Sequence, residues 1–396
     1  MKKFISIIMG LCMVFFLGAC ASTPKDTAIN TQETAEGREN AILVGCILPL
    51  SGTSAYDGES AMNGAKAAAK YINDNGGVAG GKKIKLVFED SATDPGTAAS
   101  AAEKLINKDG VKVLVGAFTS SCTAAVQPVA ENNKVPLITS VATSDALTKN
   151  GCKYFFRAVG ISSLYVDAFA GKIINELGAK RIAYIYENGD WGLGSVNSFK
   201  KYAESLGAET TTVQVINTGD VDLYTQLTAI KESKPDAIYA VSNLANAVRI
   251  AVQKRELGIV CPIIGEGSWA SGDFLTQAGA ASEGIYGMVE YLPDIKTDMN
   301  PVFLETYSAV TNGKTPDKYA ACEFNAILLA ANGISNATDP YDSTSICDSL
   351  KKTNMNMLTG PIKFDENGQG YGFDVFLSQN KDGKATSISS TKVKIH

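Results

Sequence analysis

From residue 42 onward, short apolar runs alternate with segments whose apolar residues recur at helical spacing. Residues 42–48 form an apolar run stopped by Pro49 and Gly52, the pattern of a strand buried on both faces. A helical stripe of Ala61, Ala65, Ala68 and Ile72 follows and ends at Asn75-Gly76-Gly77. Strands are predicted at 84–88, 111–115 and 135–139. Between them lie a helix opened by Asp94-Pro95 and carrying Ala98, Ala102, Leu105 and Ile106, and a second helix over 123–132. After Arg157 the rhythm restarts. Val166, Phe169, Ala170, Ile173 and Leu177 make a helical face, and strands fit 181–186, 212–216, 237–241, 262–265 and 284–289. Of the helices between these strands, the one with Leu244, Ala247, Val248 and Ala251 is the clearest. The last stretch departs from this alternation, with helical patterns at 298–311, 317–332 and 342–352 and then short strands at 360–364, 372–377 and 384–389.

Strands separated by a helix each imply right-handed crossovers and parallel sheets. So many strands in two successive sets predict two similar doubly wound α/β lobes rather than one open sheet. In such folds ligands gather beyond the carboxyl ends of the strands, where helix N-termini and free N–H groups converge. The loops that follow the strands are therefore the places to search.

The amino terminus reads differently. Lys2 and Lys3 precede an apolar run over 4–16, followed by Leu17-Gly18-Ala19-Cys20. This is the layout of a secretory signal over residues 1–19, and its end resembles a bacterial lipobox in which Cys20 is acylated and becomes the first mature residue. Residues 20–40 then carry one large apolar side chain, Ile29, too little to offset chain entropy. They are expected to be a flexible tether that holds an extracytoplasmic body on the bacterial cell membrane.

Composition narrows the function classes. The chain has 396 residues, 45% of them hydrophobic, and 36 Lys plus Arg against 41 Asp plus Glu for a formal charge of −5. That balance offers no basic stripe for nucleic acid. The sole histidine is His396, which removes Ser–His–Asp and Cys–His catalysis and imidazole zinc cages from consideration. No metal or cofactor is implied. Of the eight cysteines, Cys12 leaves with the signal and Cys20 carries lipid. Cys46, Cys122, Cys152, Cys261, Cys322 and Cys347 contain no CxxC pair, and their pairing is left unassigned.

The loops carry the candidate chemistry. Residues 50–58 (Leu-Ser-Gly-Thr-Ser-Ala-Tyr-Asp-Gly) follow the first strand and include Tyr56. Phe118, Thr119, Ser120 and Ser121 follow the third, and Ser140, Val141, Ala142, Thr143 and Ser144 the fourth. Hydroxyls at helix starts suit a carboxylate, and they equally suit simple N-capping. In the second set, Glu187-Asn188-Gly189-Asp190-Trp191-Gly192, Ser242-Asn243-Leu244 and Gly265-Glu266-Gly267-Ser268-Trp269 occupy the corresponding places. Glu266, placed directly after a strand, can receive an ammonium group or stand as a solvated loop carboxylate. Trp191 and Trp269 can wall a ligand or pack in the core. Hydroxyls on one lobe and a carboxylate on the other suit a zwitterion, because closing the cleft pairs both charged ends as it desolvates them.

Over 42–389 the chain resembles the branched-chain amino-acid-binding (leucine/isoleucine/valine-binding) family of ABC-transporter solute receptors. The resemblance rests on Leu50-Ser51-Gly52 with Gly58 and Asn63-Gly64, then on the run from Ile72 to Val78, Val115-Gly116 with Ser120-Ser121, and Ile138-Thr139 through Thr143. It continues with Phe156-Arg157, Gly265-Glu266-Gly267, Ser282-Glu283-Gly284 and the run from Gly360 to Asp365. It implies the type I periplasmic binding protein fold, with a three-segment hinge joining lobe 1 (41–160 plus 290–373) to lobe 2 (161–289 plus 374–392). It further implies that Ser120, Thr143, Val141 and Ala142 grip the α-carboxylate and α-ammonium, that Glu266 completes the ammonium site, and that Trp191 closes over the ligand. Phe118 and Thr119 lie in the same first-lobe loop, and Asn243 and Tyr319 take side-pocket positions. The implied protein is a monomer that delivers an amino acid to an ABC permease. Tyr56-Asp57-Gly58 departs from the family's usual Tyr-Gly, and Thr119, Trp191 and Asn243 make the pocket more polar than an aliphatic ligand needs. A polar amino acid or small amide therefore stays open. A ligand-sensing module is the second reading. A hydrolase using Ser120 or Thr119 is the third, and it lacks both a Ser-x-x-Lys pattern around those residues and a Gly-x-Ser-x-Gly elbow.

Overall fold

The computed structural model describes residues 41–394; the expected signal peptide, Cys20 and the tether lie outside the described residues. Five strands, β1 (Ala41–Leu48), β2 (Lys83–Asp90), β3 (Val113–Gly116), β4 (Leu137–Thr139) and β5 (Phe155–Arg157), form a parallel sheet in the order β2-β1-β3-β4-β5. β1 lies inside this sheet, which is why its apolar run is nearly continuous: Cys46 sits opposite Phe88 on one side and Val115 on the other.

The second sheet takes β6 (Arg181–Glu187), β7 (Glu209–Ile216), β8 (Ala237–Ser242), β9 (Ile263–Gly267) and β10 (Tyr286–Val289) in parallel, ordered β7-β6-β8-β9-β10. Three short strands, β11 (Met355–Met357), β12 (Gly360–Phe364) and β13 (Gly370–Tyr371), make a small antiparallel sheet. The hairpin β14 (Asp374–Lys381) and β15 (Lys384–Lys392) then adds antiparallel to β10, so the second sheet ends in a mixed edge. The chain therefore changes sheets three times: after β5, after β10 and before β14.

Local sequence explains most boundaries. The helix α1 (Ala55–Asp74) follows β1 and α2 (Pro95–Lys104) follows β2. Asp94 caps the latter by accepting from the Thr97 N–H at 2.7 Å, with Pro95 in the first turn. The helix α3 (Ser120–Asn133) starts three residues before the stretch predicted from periodicity, because Thr119 caps it through the Cys122 N–H at 3.3 Å. β5 was not expected at all; three residues are too few to show a period. β9 runs two residues past its predicted end, so Glu266 belongs to the strand and not to the loop after it.

The later helices α4 (Ser162–Leu177), α5 (Asp190–Ser205), α6 (Tyr224–Ser233), α7 (Leu244–Glu256) and α8 (Gly272–Ala278) accompany the second sheet. The chain then returns, and α9 (Met299–Thr311) and α10 (Lys318–Asn336) pack against α1 beside the first sheet, followed by α11 (Ser343–Leu350). At the α1–α10 crossing a Cβ on Gly64 would lie 2.1 Å from the Ala320 carbonyl oxygen. Two backbones cannot move apart as a flexible side chain can. Gly64→Ala is therefore expected to destabilise the protein by about 2 kcal/mol in thermal or urea unfolding. An unchanged melting temperature would show that this close approach is not needed.

The six described cysteines are all free, and no group of described residues has the make-up of a metal site. No described helix is long and apolar enough to cross a membrane.

Candidate functional site

The carboxyl ends of both sheets face one cavity. From the first sheet it receives Phe118, Thr119 and Ser120 after β3, and Val141, Ala142 and Thr143 after β4. From the second it receives Trp191 after β6, Asn243 after β8 and Glu266 near the end of β9, and Tyr319 enters from the first turn of α10. Ten of the eleven residues singled out from the sequence thus meet at one place. Tyr56 does not: it is 44% exposed and lines a separate depression with Asp273 and Lys314.

On the first-sheet side the hydroxyls are held without being used up. Ser120 Oγ accepts from the Ser144 N–H at 3.2 Å, which ties the two loops together and leaves its own proton free to donate. The start of α3 also presents N–H groups that have no partner within the helix, and together they favour an anion. Behind them the fully buried Arg157 braces the second loop. Its Nη1 donates to the carbonyls of Ala142 (3.2 Å) and Ser144 (2.7 Å) and its Nη2 to Thr148 Oγ1 (2.9 Å). Burial pulls this guanidinium down to about 10, which leaves it charged at neutral pH.

Glu266 is the centre of the second-sheet side. Trp191 Nε1 donates to its Oε1 at 2.8 Å and the Tyr239 hydroxyl to its Oε2 at 2.6 Å. Ser195 Oγ and Ser162 Oγ lie 2.9 and 3.1 Å from Oε1, and Ser162 Oγ is also 3.1 Å from Thr143 Oγ1. Ser162 Oγ therefore stands within hydrogen-bond distance of both Thr143, after β4 of the first sheet, and Glu266 in β9 of the second. Burial raises the Glu266 pKa above its ordinary value, while Tyr239, Trp191, Ser195 and the Lys318 charge oppose that rise.

The remaining wall is aromatic and polar. The Tyr319 ring lies 5.1 Å from that of Phe118, and its hydroxyl meets Ser268 Oγ at 3.0 Å and Asn243 Oδ1 at 3.2 Å. Asn243 in turn donates its backbone N–H (3.0 Å) and Nδ2 (3.3 Å) to Glu187. Trp269, one of the two tryptophans weighed as a wall, is fully buried beneath Gly265 and stacks edge-on with Phe274 at 5.4 Å, so it belongs to the core.

Two cavity residues were not found from the sequence. Glu290 and Lys318 line the cavity with side chains only 10% and 9% exposed, and Lys318 Nζ lies 3.0 Å from Glu290 Oε2. Glu290 immediately follows β10, so the rule that pointed to the other strand ends extends to it. Lys318 adjoins Tyr319, but an ordinary helix-start lysine gives no sign of being buried. Ser162, Ser195 and Tyr239 were missed for another reason: they reach Glu266 from distant elements.

The sequence profile of the periplasmic binding protein family matches residues 41–384. The leucine-, isoleucine-, valine-, threonine- and alanine-binding protein of Pseudomonas aeruginosa is 28% identical, over 86% of this chain and 90% of its own length. The crystal structure of a leucine-binding protein from Thermotoga maritima superposes with a TM-score of 0.81 at 27% identity, covering 88% of this chain and 98% of that one. A branched-chain amino-acid transporter substrate-binding protein from Streptococcus pneumoniae, solved with isoleucine, gives 0.81 at 30% identity, with 90% and 100% coverage.

Proposed function

The chain belongs to the periplasmic binding protein family, and from that premise we propose that it is a lipid-anchored receptor that captures an amino acid between its lobes and delivers it to an ABC permease. It is a solute-binding protein of the extracytoplasmic class and not an enzyme. In the proposed arrangement the lobes comprise 41–160 plus 290–373 and 161–289 plus 374–392, hinged at the three crossings, with Cys20 carrying the lipid. The ligand's carboxylate is held by Ser120, Thr143 and the start of α3. Its ammonium is held by Glu266 together with the Val141–Thr143 loop, and Trp191 covers it. Asn243, Tyr319, Phe118 and Thr119 surround the side chain.

The observation that carries this reading is the meeting of free hydroxyl donors on one lobe with a buried carboxylate on the other, across a single cavity. Opposite ends of a zwitterion are each paired as the lobes close, so neither charge is left desolvated alone. Hinge closure also explains why one ligand recognises both lobes, since its affinity is then spent on the closed state.

Calorimetry on the purified protein is expected to show saturable binding of at least one free amino acid with no chemical turnover. Thr143→Ala removes a hydroxyl from the carboxylate end and is expected to weaken that binding about tenfold, the scale of one charge-assisted hydrogen bond. Sugars as the sole ligands, or full affinity in the variant, would reject the assignment.

A further inference from the structure

The polar groups around the cavity are not equally satisfied. Glu266 lies within hydrogen-bond distance of four donors, and Asn243 and Tyr319 engage each other together with Glu187 and Ser268. Glu290 differs. Its Oε2 is buried and accepts no aligned hydrogen bond, although the Lys318 ammonium stands 3.0 Å away. Lys318 carries three N–H donors, has Glu290 as its one ion-pair partner among the described residues, and lies 4.9 Å from the centre of the Tyr319 ring. Burial works against that charge, yet the carboxylates of Glu290 and Glu266 outweigh it and keep the lysine protonated.

A buried ion pair of this kind is costly unless its remaining donors and acceptors are met. Set against an aliphatic side chain, it would stay desolvated and incompletely bonded. What completes it is a group presenting one acceptor to the lysine and one donor to the glutamate. A carboxamide does both at once, its oxygen accepting from Lys318 and its NH₂ donating to Glu290. A carboxylate offers Glu290 no donor and brings like charge to it, and an ammonium offers Lys318 no acceptor.

We propose that the ligand is an amino acid with a carboxamide side chain, selected by the buried Lys318–Glu290 pair on the Tyr319 wall of the cavity. This rests on the amino-acid receptor reading given above and sharpens it, because it disfavours leucine, isoleucine and valine at this site. A site built to hydrogen-bond a substrate group rejects an isostere lacking it far more strongly than a hydrophobic pocket rejects an extra methyl.

Asparagine and leucine have side chains of similar shape that differ in the groups on the branch, so they form the informative comparison. Calorimetry of asparagine, glutamine, leucine, aspartate and lysine against the intact protein is expected to give at least one amide a Kd tenfold or more below that of leucine. Leucine equal to or tighter than both amides overturns the proposal, and so does aspartate or lysine binding most tightly. If no amino acid binds, the receptor reading itself falls, an outcome distinct from a preference for leucine. The paired variant Glu290→Leu with Lys318→Met replaces the ion pair by apolar groups of similar bulk, and it is expected to shrink or reverse the amide preference while keeping its melting transition. An unchanged preference in that folded variant overturns the assignment. Should the paired variant not fold, Glu290→Gln keeps the shape, and an unaltered amide-to-leucine ratio there overturns it equally.

Discussion

Glu266→Ala is expected to remove detectable amino-acid capture, raising Kd at least about 100-fold. Truncating one member of a buried, hydrogen-bonded charge pair costs about 2–5 kcal/mol, and part of that cost comes from what remains behind. Here the substitution strips acceptors from Trp191, Ser195, Ser162 and Tyr239 as well as from the ligand's ammonium. A fall in melting temperature is therefore expected alongside the lost affinity. Glu266→Gln separates the two effects. It keeps the shape and one acceptor oxygen, so stability should largely survive while the charge that holds the ammonium is gone. Calorimetry on the glutamine variant decides the matter, since wild-type affinity there would mean that no ligand cation meets this carboxylate.

Glu266 also illustrates how much of the site could be read along the chain. Its position between Gly265 and Gly267, at the end of an apolar run, marked it out. The sequence placed it directly after a strand, as a receiver of an ammonium group or a solvated loop carboxylate, whereas the strand continues through it and it is 4% exposed. Burial is the physical difference: a loop carboxylate is satisfied by solvent, and this one requires Tyr239 from β8, Trp191 and Ser195 from α5 and Ser162 from α4.

The second large effect concerns stability and pH. Glu323, on the face of α10 toward β3 and β4, is fully buried; its Oε2 accepts from Ser140 Oγ and its Oε1 has no partner. Burial pushes its pKa from 4.5 up to about 7, with the Ser140 hydrogen bond opposing the rise. Cys46 on β1 and its helix neighbour Cys322 face it as thiols whose own pKa values burial raises, so they stay neutral and supply no compensating charge. The fold thus keeps Glu323 protonated at pH values where the unfolded chain ionises it. The associated stability is fully present below about pH 4.5 and is lost as pH climbs through about 7, in total about 3 kcal/mol for this shift.

Glu323→Gln cannot ionise and escapes that loss. It is expected to be more stable than the parent by about 2–3 kcal/mol at pH 8 and no more stable at pH 4.5, as read from urea unfolding of the ligand-free protein. The raised carboxyls of Asp57, Glu187, Glu266 and Asp317 slope the same way but are common to both proteins and cancel in the difference. A gain that is independent of pH would place the effect in packing instead of ionisation.

Local chemistry was enough for the sequence to determine the alternation of strands and helices, the two successive sets, and the strand ends at which Ser120, Thr143, Trp191 and Asn243 lie. Apolar runs, capping residues and glycines act within a few positions of themselves, and those signals survive without any knowledge of the partner. Tertiary structure alone decided which side chains become buried and who satisfies them. It drew Glu290 and Lys318 together from residues 28 positions apart, sank Trp269 beneath Gly265, left Tyr56 outside the cavity, and turned Glu323 inward against Ser140. Desolvation is a property of the surrounding packing, and no window of sequence contains the atoms that exclude the water.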